Sequence, residues 1–161
     1  MAPAPTQENT VVMENVQIIF RNFEGKEGQY NRAGDRNFGV LLEEDVAQAM
    51  EADGWNVKRL KPREDEEDPN AIPQPWLSIS VGFDKGRPPR VVLITSRGKK
   101  NLTEDLVEQL DWVDIQNVDL IIAPYHWDVN GNQGVKAYLR SIYVTIEEDE
   151  LEQKYADLEG Q

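Results

Sequence analysis

The sequence has no cysteine and only one histidine, and these two shortages exclude most catalytic chemistry. Without cysteine there is no disulfide, no thiolate zinc site and no cysteine nucleophile. The single histidine, His126, cannot form a metal cage alone, and no serine near it has the sequence context of a nucleophile elbow. Walker A and GxGxxG motifs are also missing, so nucleotide hydrolysis and dinucleotide binding lose their usual signatures. We therefore predict a non-enzymatic protein without catalytic residues, cofactor or metal.

Long hydrophobic runs are missing as well. No apolar stretch approaches the roughly 20 residues that are needed to cross a bilayer. The first ten residues, MAPAPTQENT, have neither the charged nor the apolar region of a secretory signal. The absence of cysteine fits a reducing compartment. We expect a cytoplasmic protein that has no membrane partner.

Positive charge is scarce, and its distribution matters more than its total. The net charge of −13 argues against a partner that carries phosphate. The acids are concentrated, however, in two short segments. Residues 147–161 carry a net charge of −6 and residues 64–68 carry −5, which leaves −2 for the rest of the chain. The body of the protein is therefore nearly neutral and can present a cationic patch.

Short runs rich in β-branched and aromatic residues predict a chain made mainly of strands. The clearest alternation is WLSISVGF at 76–83, in which Leu77, Ile79 and Val81 share one face. Two other segments have the apolar spacing of amphipathic helices. The predicted strands are 11–23, 37–42, 55–60, 76–83, 90–95, 118–123 and 135–146, and the predicted helices are 43–53 and 102–112.

Many short strands with few helices favour a barrel or a sandwich over a doubly wound sheet. The helix at 102–112 precedes the last two strands, where the OB-fold, a five-stranded Greek-key barrel, carries its helix. Part or all of the segment 43–75 is then an inserted helix and strand. We predict a mainly β, OB-fold domain at 11–146, with a flexible lead at 1–10, an acidic flexible loop at 62–75 and an acidic tail at 147–161.

The segment KGRPPRVVLITSRGKK, residues 85–100, holds six basic residues and no acid, which is unusual in so acidic a chain. One interpretation is a solvated hairpin whose charges serve solubility. The other is the wall of a groove that follows a phosphate backbone, where each neutralised phosphate releases counterions. Both interpretations remain open on the sequence alone.

Two predicted loops, at 24–36 and 124–137, combine basic and aromatic residues. On the predicted strand order they join strands one to two and four to five, and these loops border the ligand surface of an OB-fold. Aromatic rings stack on any base, for about 1–3 kcal/mol each, while cations hold the backbone. We therefore predict an interface for single-stranded DNA. Its candidate residues are Lys26, Tyr30, Arg32, Arg36, Trp55, Lys58, Trp76, Lys85, Arg87, Arg90, Arg97, Lys99, Lys100, Tyr125, Trp127, Lys136, Tyr138 and Arg140.

The remaining aromatic residues are assigned to the core, because they lie within apolar strands or beside the apolar face of a helix. Most of the acids are assigned to solvent, although several of them could be arranged into a divalent-metal nuclease site. The residues assigned to the core are Phe20, Phe38, Phe83, Trp112 and Tyr143, and the acids of the nuclease alternative are Asp84, Asp111, Asp114, Asp119 and Asp128.

A spaced motif, FxGxxxxxNxxGxRxF, adds a family resemblance. With it, and with the late stretch LIIAPYHWDVNGNQGVKAYLRSIYVTI, residues 14 to about 148 resemble the single-stranded DNA-binding proteins of bacteriophages that infect actinobacteria. The resemblance implies an OB-fold without catalytic residues that protects DNA during phage replication or recombination, in the cytoplasm of the infected bacterium. The motif residues are Phe23, Gly25, Asn31, Gly34, Arg36 and Phe38.

The acidic tail is a second expected functional element. It can compete with DNA for the basic groove and recruit replication or recombination proteins, and both effects are electrostatic. Related bacterial tails end in acids followed by proline and phenylalanine, whereas this chain ends in DLEGQ, so docking through the tip is in question. Barrels of this type occur as monomers, dimers and tetramers, which leaves a homo-oligomer open. The alternative function is a phage structural or protein-interaction module that binds no nucleic acid.

Overall fold

A computed structural model describes residues 10–60, 73–84 and 86–147. The predicted lead, most of the predicted acidic loop, nearly all of the predicted tail and the candidate Lys85 lie outside these residues. Among the described residues, no helix is long and apolar enough to span a bilayer. The elements are β1 (Val11–Met13), β2 (Ile18–Asn22), β3 (Arg36–Leu41), α1 (Glu44–Ala52), β4 (Val57–Arg59), β5 (Pro75–Val81), β6 (Arg90–Thr95), β7 (Gly98–Asn101), a 3₁₀ helix (Val107–Asp111), β8 (Ile115–Val129) and β9 (Asn132–Ile146).

All nine strands belong to one sheet, whose pairing path runs β1-β8-β9-β5-β3-β2. The two ends of this path, β1 and β2, are separated in the chain only by residues 14–17. The amide of Val16 in this short link donates to the carbonyl of Val118 on β8, at 3.0 Å. The sheet therefore curls around its core, and β1 with β2 takes the place of one long first strand.

The third strand of the predicted five-stranded order is divided into β5 and β6. Both run parallel to β9, and they pair with neighbouring parts of it: Ser80 lies opposite Tyr138, and Arg90 lies opposite Ser141. Between these two contacts, residues 82–84 and 86–89 lie outside the sheet. With β3 as the second strand and β8 and β9 as the last two, the mainly β architecture predicted from the sequence is confirmed.

The predicted insertion is α1 followed by β4; ion pairs join these two elements, and strand pairing and a backbone hydrogen bond fasten the insertion to the sheet. Arg59 on β4 forms ion pairs with Glu44, at 2.7 Å, and with Glu51, at 2.8 Å, both on α1. The hydrogen bond from Arg59 lowers the pKa of Glu44. At the other end, the amide of Asn56 donates to the carbonyl of Val135 on β9, at 3.3 Å. The insertion is thus held over the edge of β5 and the start of the β9 core residues.

Alternation along the strands separates the core from the outer face. On β5, Leu77, Ile79 and Val81 are buried, whereas the residues between them are only half-buried. Phe23 and Phe38 are both buried and stack with their ring centroids 5.0 Å apart. The prediction that Phe38 is a core residue is confirmed, and the core occupies the concave side of the curled sheet.

The first predicted strand is interrupted, and the interruption exposes one aromatic side chain that was assigned to the core. Asn15 and Phe20 both have positive φ, 53° and 51°, and the pairing of β2 with β3 shifts register between Ile19 and Asn22. Such an irregularity turns a side chain to the other face of the sheet. Phe20 is consequently 60% exposed, so its assignment to the core is wrong.

The predicted helix at 102–112 is also wrong in type and length. Only Val107–Asp111 is helical, and it is a 3₁₀ helix with i to i+3 bonds such as Gln109 to Leu106. The side chains of Leu102, Val107 and Leu110 are buried, and the short 3₁₀ helix is sufficient to place them in the core. Trp112, at its end, is 68% exposed rather than in the core.

The predicted loop at 124–134 is instead a long hairpin. β8 continues to Val129 and β9 begins at Asn132, so only Asn130 and Gly131 form the turn. Both have positive φ, 53° and 84°. A type I′ turn requires positive φ at both of its central residues, and an Asn-Gly pair adopts it readily. Pro75, the first residue of β5, was likewise assigned to a loop by the sequence, and strand β7 was not predicted. These pairings place side chains of 124–137 on a defined face.

Candidate nucleic-acid interface

The convex face of the sheet collects small, aromatic and cationic side chains. Residues directly opposite each other on paired strands share a face. Trp76 lies opposite Lys58, Ser78 opposite Gly39, and Ser80 opposite Tyr138. The same face continues onto the β8–β9 hairpin. We call this surface the platform; its members are Phe20, Gly39, Lys58, Trp76, Ser78, Ser80, Tyr125, Trp127, Gly134, Lys136 and Tyr138.

At one end of the platform, Trp76 lies directly on the backbone of β3. A Cβ atom at Gly39 would come within 2.7 Å of Cε3 of Trp76, so glycine provides the space for the indole. The ring of Phe20 meets Trp76 edge-on, with centroids 5.0 Å apart at 65°. Lys58 Nζ lies 5.2 Å from the centroid of the Trp76 ring. A half-buried indole is thereby fixed next to an exposed ring and a cation.

The other end of the platform repeats this arrangement on β8 and β9. Tyr125 and Tyr138 meet edge-on with centroids 5.9 Å apart, and Lys136 Nζ lies 5.2 Å from the Tyr138 ring centroid. Trp127 lies on Gly134, where an added Cβ would be 2.5 Å from Cζ2 of the indole. Both ends therefore hold rings and an ammonium group that are placed by strand pairing.

A cleft of about 210 Å³ joins the two ends. It lies where β4 and β9 pair with the same edge of β5. Strand β4 pairs with β5 up to Leu77, and β9 pairs with β5 from Ile79 onward. Ser78 lies between the two pairings, at a point that we call the fork of β5. The cleft is lined by Asn56, Lys58, Leu77, Ser78, Ser80, Trp127, Val135, Lys136 and Ala137.

Two arginines extend the cationic surface beyond Tyr138. Arg140 lies at an irregularity of β9, since Leu139 and Ser141 face consecutive residues of β8. Residues 86–89, which lie outside the sheet, bring Arg87 close to Arg140. Partial burial, and secondarily the charge of Arg87, lower the pKa of Arg140. Neither arginine forms an ion pair within the described part of the chain. Two unneutralised guanidinium groups side by side favour an anion.

The loop at 24–36 is ordered by its own hydrogen bonds. The Asn22 carboxamide accepts from the amides of Gly25 and Lys26, and Asn31 donates to the carbonyls of Lys26 and Asp35. At its tip, Tyr30 is 93% exposed. The sequence predicted a loop here without this internal bonding, for which Asn31 of the motif was the available signal, because asparagine side chains bond to nearby backbone groups in turns.

Two of the loop's candidate cations are paired with acids. Arg32 binds Asp35 at 3.3 Å. Arg36 binds Glu104 at 3.1 Å, and its guanidinium lies 5.7 Å from the centroid of the half-buried Phe83 ring. The register of β3 with β5 places Arg36 opposite the buried Val81, on the core side rather than on the platform. Lys26 remains exposed.

The basic segment at 85–100 is spread over different faces. Arg90 adjoins the Arg87–Arg140 region through its pairing with Ser141. Lys99 lies opposite Ile94 and Lys100 opposite the core residue Leu93, so consecutive lysines of β7 point to opposite sides. Arg97 lies in the turn that joins β6 to β7. The structure therefore unites only part of this segment with the platform.

Two tryptophans lie off the platform. Trp55, a candidate for stacking, is half-buried and packs against the hydrophobic core. Trp112, by contrast, is exposed beside the 3₁₀ helix. Tyr143 is half-buried.

Phe20, Ser78 and Ser80 belong to the site although the sequence did not select them. For Phe20 a signal was available, because the adjacent apolar residues Ile18, Ile19 and Phe20 cannot all face inward.

The acids of the nuclease alternative do not form a metal site among the described residues, where no group of three potential ligands is found. Asp111 accepts from the amides of Phe23 and Glu24, at 2.8 and 3.1 Å, and Asp119 accepts from the amide of Asn15 at 2.9 Å. These two carboxylates fasten the ends of β1 and β2 to the rest of the sheet.

Comparison with known proteins links this geometry to a family. Residues 4–160 match the model of the family described as "Putative phage ssDNA-binding domain". Nothing among the curated proteins matches. Among solved structures, the single-stranded DNA-binding protein from bacteriophage Enc34 in complex with ssDNA has a TM-score of 0.56 at 11% identity, over 89% of each chain. Its C-terminal truncation has a TM-score of 0.54 at 11% identity, again over 89% of each chain. These structures share the OB-fold with this chain.

Proposed function

Because the chain belongs to the phage single-stranded DNA-binding domain family, we propose that it binds single-stranded DNA along the platform with little regard to sequence. One observation carries the proposal: rings and cations that are scattered from Phe20 to Tyr138 in the sequence lie on one convex face. Bases stack on the rings, and the cations hold the phosphates.

The path of the strand follows from the placement of the cations. Lys58 and Lys136 border the cleft between the two aromatic ends, and Arg140 and Arg87 continue the positive surface beyond Tyr138. A strand that crosses the sheet from Trp76 to Tyr138 therefore meets a cation beside each ring. Sequence tolerance follows because every base offers a face for stacking, whereas few side chains on this surface can read a base edge.

A titration with oligo-dT tests the function directly. We expect tryptophan fluorescence to be quenched as bases stack, and binding to weaken steeply as salt rises. The oligonucleotide should be recovered intact in the presence of Mg²⁺, which distinguishes binding from nuclease activity. Absence of quenching together with absence of a gel shift at low salt would contradict the proposal.

Removing the two platform lysines is expected to reduce the electrostatic part of binding. Each lost phosphate contact lowers the slope of log K against log salt by about 0.7 on single strands, so Lys58→Ala with Lys136→Ala should lower it by about 1.4. Lys100→Ala is the matched control, because Lys100, on β7, lies opposite the core residue Leu93 of β6 and off the platform. Equal slopes for the double variant and the control would place the phosphates elsewhere.

The biological setting proposed here is phage DNA replication or recombination in the cytoplasm of the infected bacterium. The acidic segment at 147–161, beyond the described residues except for Glu147, has the charge to compete with DNA for the platform and to recruit replication or recombination proteins. Self-association on DNA is a further proposal. Capture of host replication proteins by the full chain, and their loss when residues 148–161 are removed, would support the partner role.

A further inference from the structure

The cleft at the fork of β5 contains polar groups that have no partner in the described chain. The hydroxyls of Ser78 and Ser80 and the carboxamide of Asn56 line it, and none of these side chains forms a hydrogen bond with another described residue. Polar groups that are partly withdrawn from water are normally paired. Three such groups in one cleft represent hydrogen-bonding capacity that is available to a ligand.

The inserted segment builds the wall that makes this surface a cleft. The bridge between Trp55 and Val135, and the bond from the Asn56 amide to the Val135 carbonyl, hold the start of β4 against β9. Without α1 and β4, the edge of β5 beside Ser78 would be open. The insertion therefore has a role at the interface as well as in packing.

Around the cleft are the other groups that a nucleotide requires. The indole of Trp127, which lies on Gly134, forms one wall. The ammonium groups of Lys58 and Lys136 are held at its mouth by the rings of Trp76 and Tyr138, each 5.2 Å away. A base can thus meet a ring and hydrogen-bonding groups while its phosphate meets an ammonium group.

We propose that this cleft accepts one base of the bound strand, and that Ser78, Ser80 and Asn56 read its edge. The inference rests on the function proposed above and adds a base contact at one position. Hydroxyls and a carboxamide can both donate and accept hydrogen bonds, so these three groups can serve the edge of a base while the ammonium groups hold its phosphate.

The test compares the wild-type chain with the Ser78→Ala/Ser80→Ala variant on three oligonucleotides of equal length: oligo-dT, oligo-dA and a fully abasic strand. We expect the variant to bind oligo-dT about five- to tenfold more weakly, which corresponds to the loss of two neutral hydrogen bonds of modest net strength. Its affinity for the abasic strand should stay within about twofold of the wild type at low salt, where backbone contacts dominate.

Two comparisons separate a base contact from other roles. The ratio of affinities for oligo-dT and the abasic strand should fall in the variant, and oligo-dA should also be bound more weakly, because self-stacking of free oligo-dA cancels in the comparison with the wild type. Lys136→Ala should instead weaken binding to oligo-dT and to the abasic strand alike. Thermal unfolding of each variant shows whether the fold is intact.

The outcomes distinguish this inference from the function on which it rests. If the wild-type chain fails to bind oligo-dT, the proposed function is wrong. If it binds oligo-dT but the serine variant changes all three affinities equally, or changes none, then the cleft holds no base and only the inference is overturned.

Discussion

Replacing Trp76 by alanine is expected to weaken binding of oligo-dT by about 1–3 kcal/mol, or roughly 5- to 150-fold. The indole lies on Gly39, meets Phe20 at its edge and has Lys58 Nζ 5.2 Å from its ring centroid, so the flexible lysine side chain moves aside when a base stacks. Its loss removes a stacking surface and also the ring that positions Lys58. Much of the fluorescence quenching on DNA should disappear with it.

The matched control is Trp112→Ala. Trp112 is 68% exposed, but it lies beside the 3₁₀ helix and not on the platform. We expect its replacement to leave affinity within about twofold of the wild type. Trp76→Phe, which keeps a ring, should retain most of the affinity. The account would be contradicted if Trp112→Ala weakened binding as much as Trp76→Ala, because exposure alone would then explain the effect.

Two phenylalanines three residues apart should separate stability from binding. Phe23 is fully buried and stacks on Phe38, so Phe23→Ala is expected to lower the free energy of unfolding by about 3–5 kcal/mol. Phe20 is 60% exposed and contacts Trp76 on the platform. Phe20→Ala should change the free energy of unfolding by less than about 1 kcal/mol, yet weaken oligo-dT binding about fivefold.

Urea unfolding measures the free energy of unfolding of both variants, and titration with oligo-dT measures their affinity for DNA. The reverse result, in which Phe20→Ala unfolds the domain and Phe23→Ala does not, would mean that the register shift in β2 is misplaced. On a regular strand, residues three apart face opposite sides, so alternation alone predicts a contrast, and the register shift decides which of the two side chains is buried.

The sequence predicted the fold class because the strands carry local signals. Alternation along β5 marked Leu77 and Ile79 as core, and the remaining β-rich runs appear as strands in the predicted order. The insertion was recognisable from the apolar spacing and the acids of α1. What local signals could not supply was pairing: the long β8–β9 hairpin is stabilised by a partner strand, and PYHWDVN looks like a loop when it is considered alone.

The candidate site was predicted in part, for the same reason. Trp76 and Tyr138 were selected because they have polar neighbours on the alternating pattern, and pairing with β5 brings them together with Lys58. Phe20 was missed because its exposure results from a register shift: the adjacent apolar residues 18–20 indicate that they cannot all face inward, but not which of them faces outward. Arg36 was selected for its charge, but Glu104, 68 positions later in the chain, is the acid it binds.

The most direct test is photo-cross-linking of the wild-type chain to oligo-dT that carries 5-iodouracil, followed by identification of the linked residues by mass spectrometry. If bases stack on the platform, the cross-links should fall on Trp76, Trp127 and Tyr138 and be absent from Trp55 and Trp112. Cross-links concentrated on Trp112, with none on Trp76 or Tyr138, would show that DNA binds another face of the sheet.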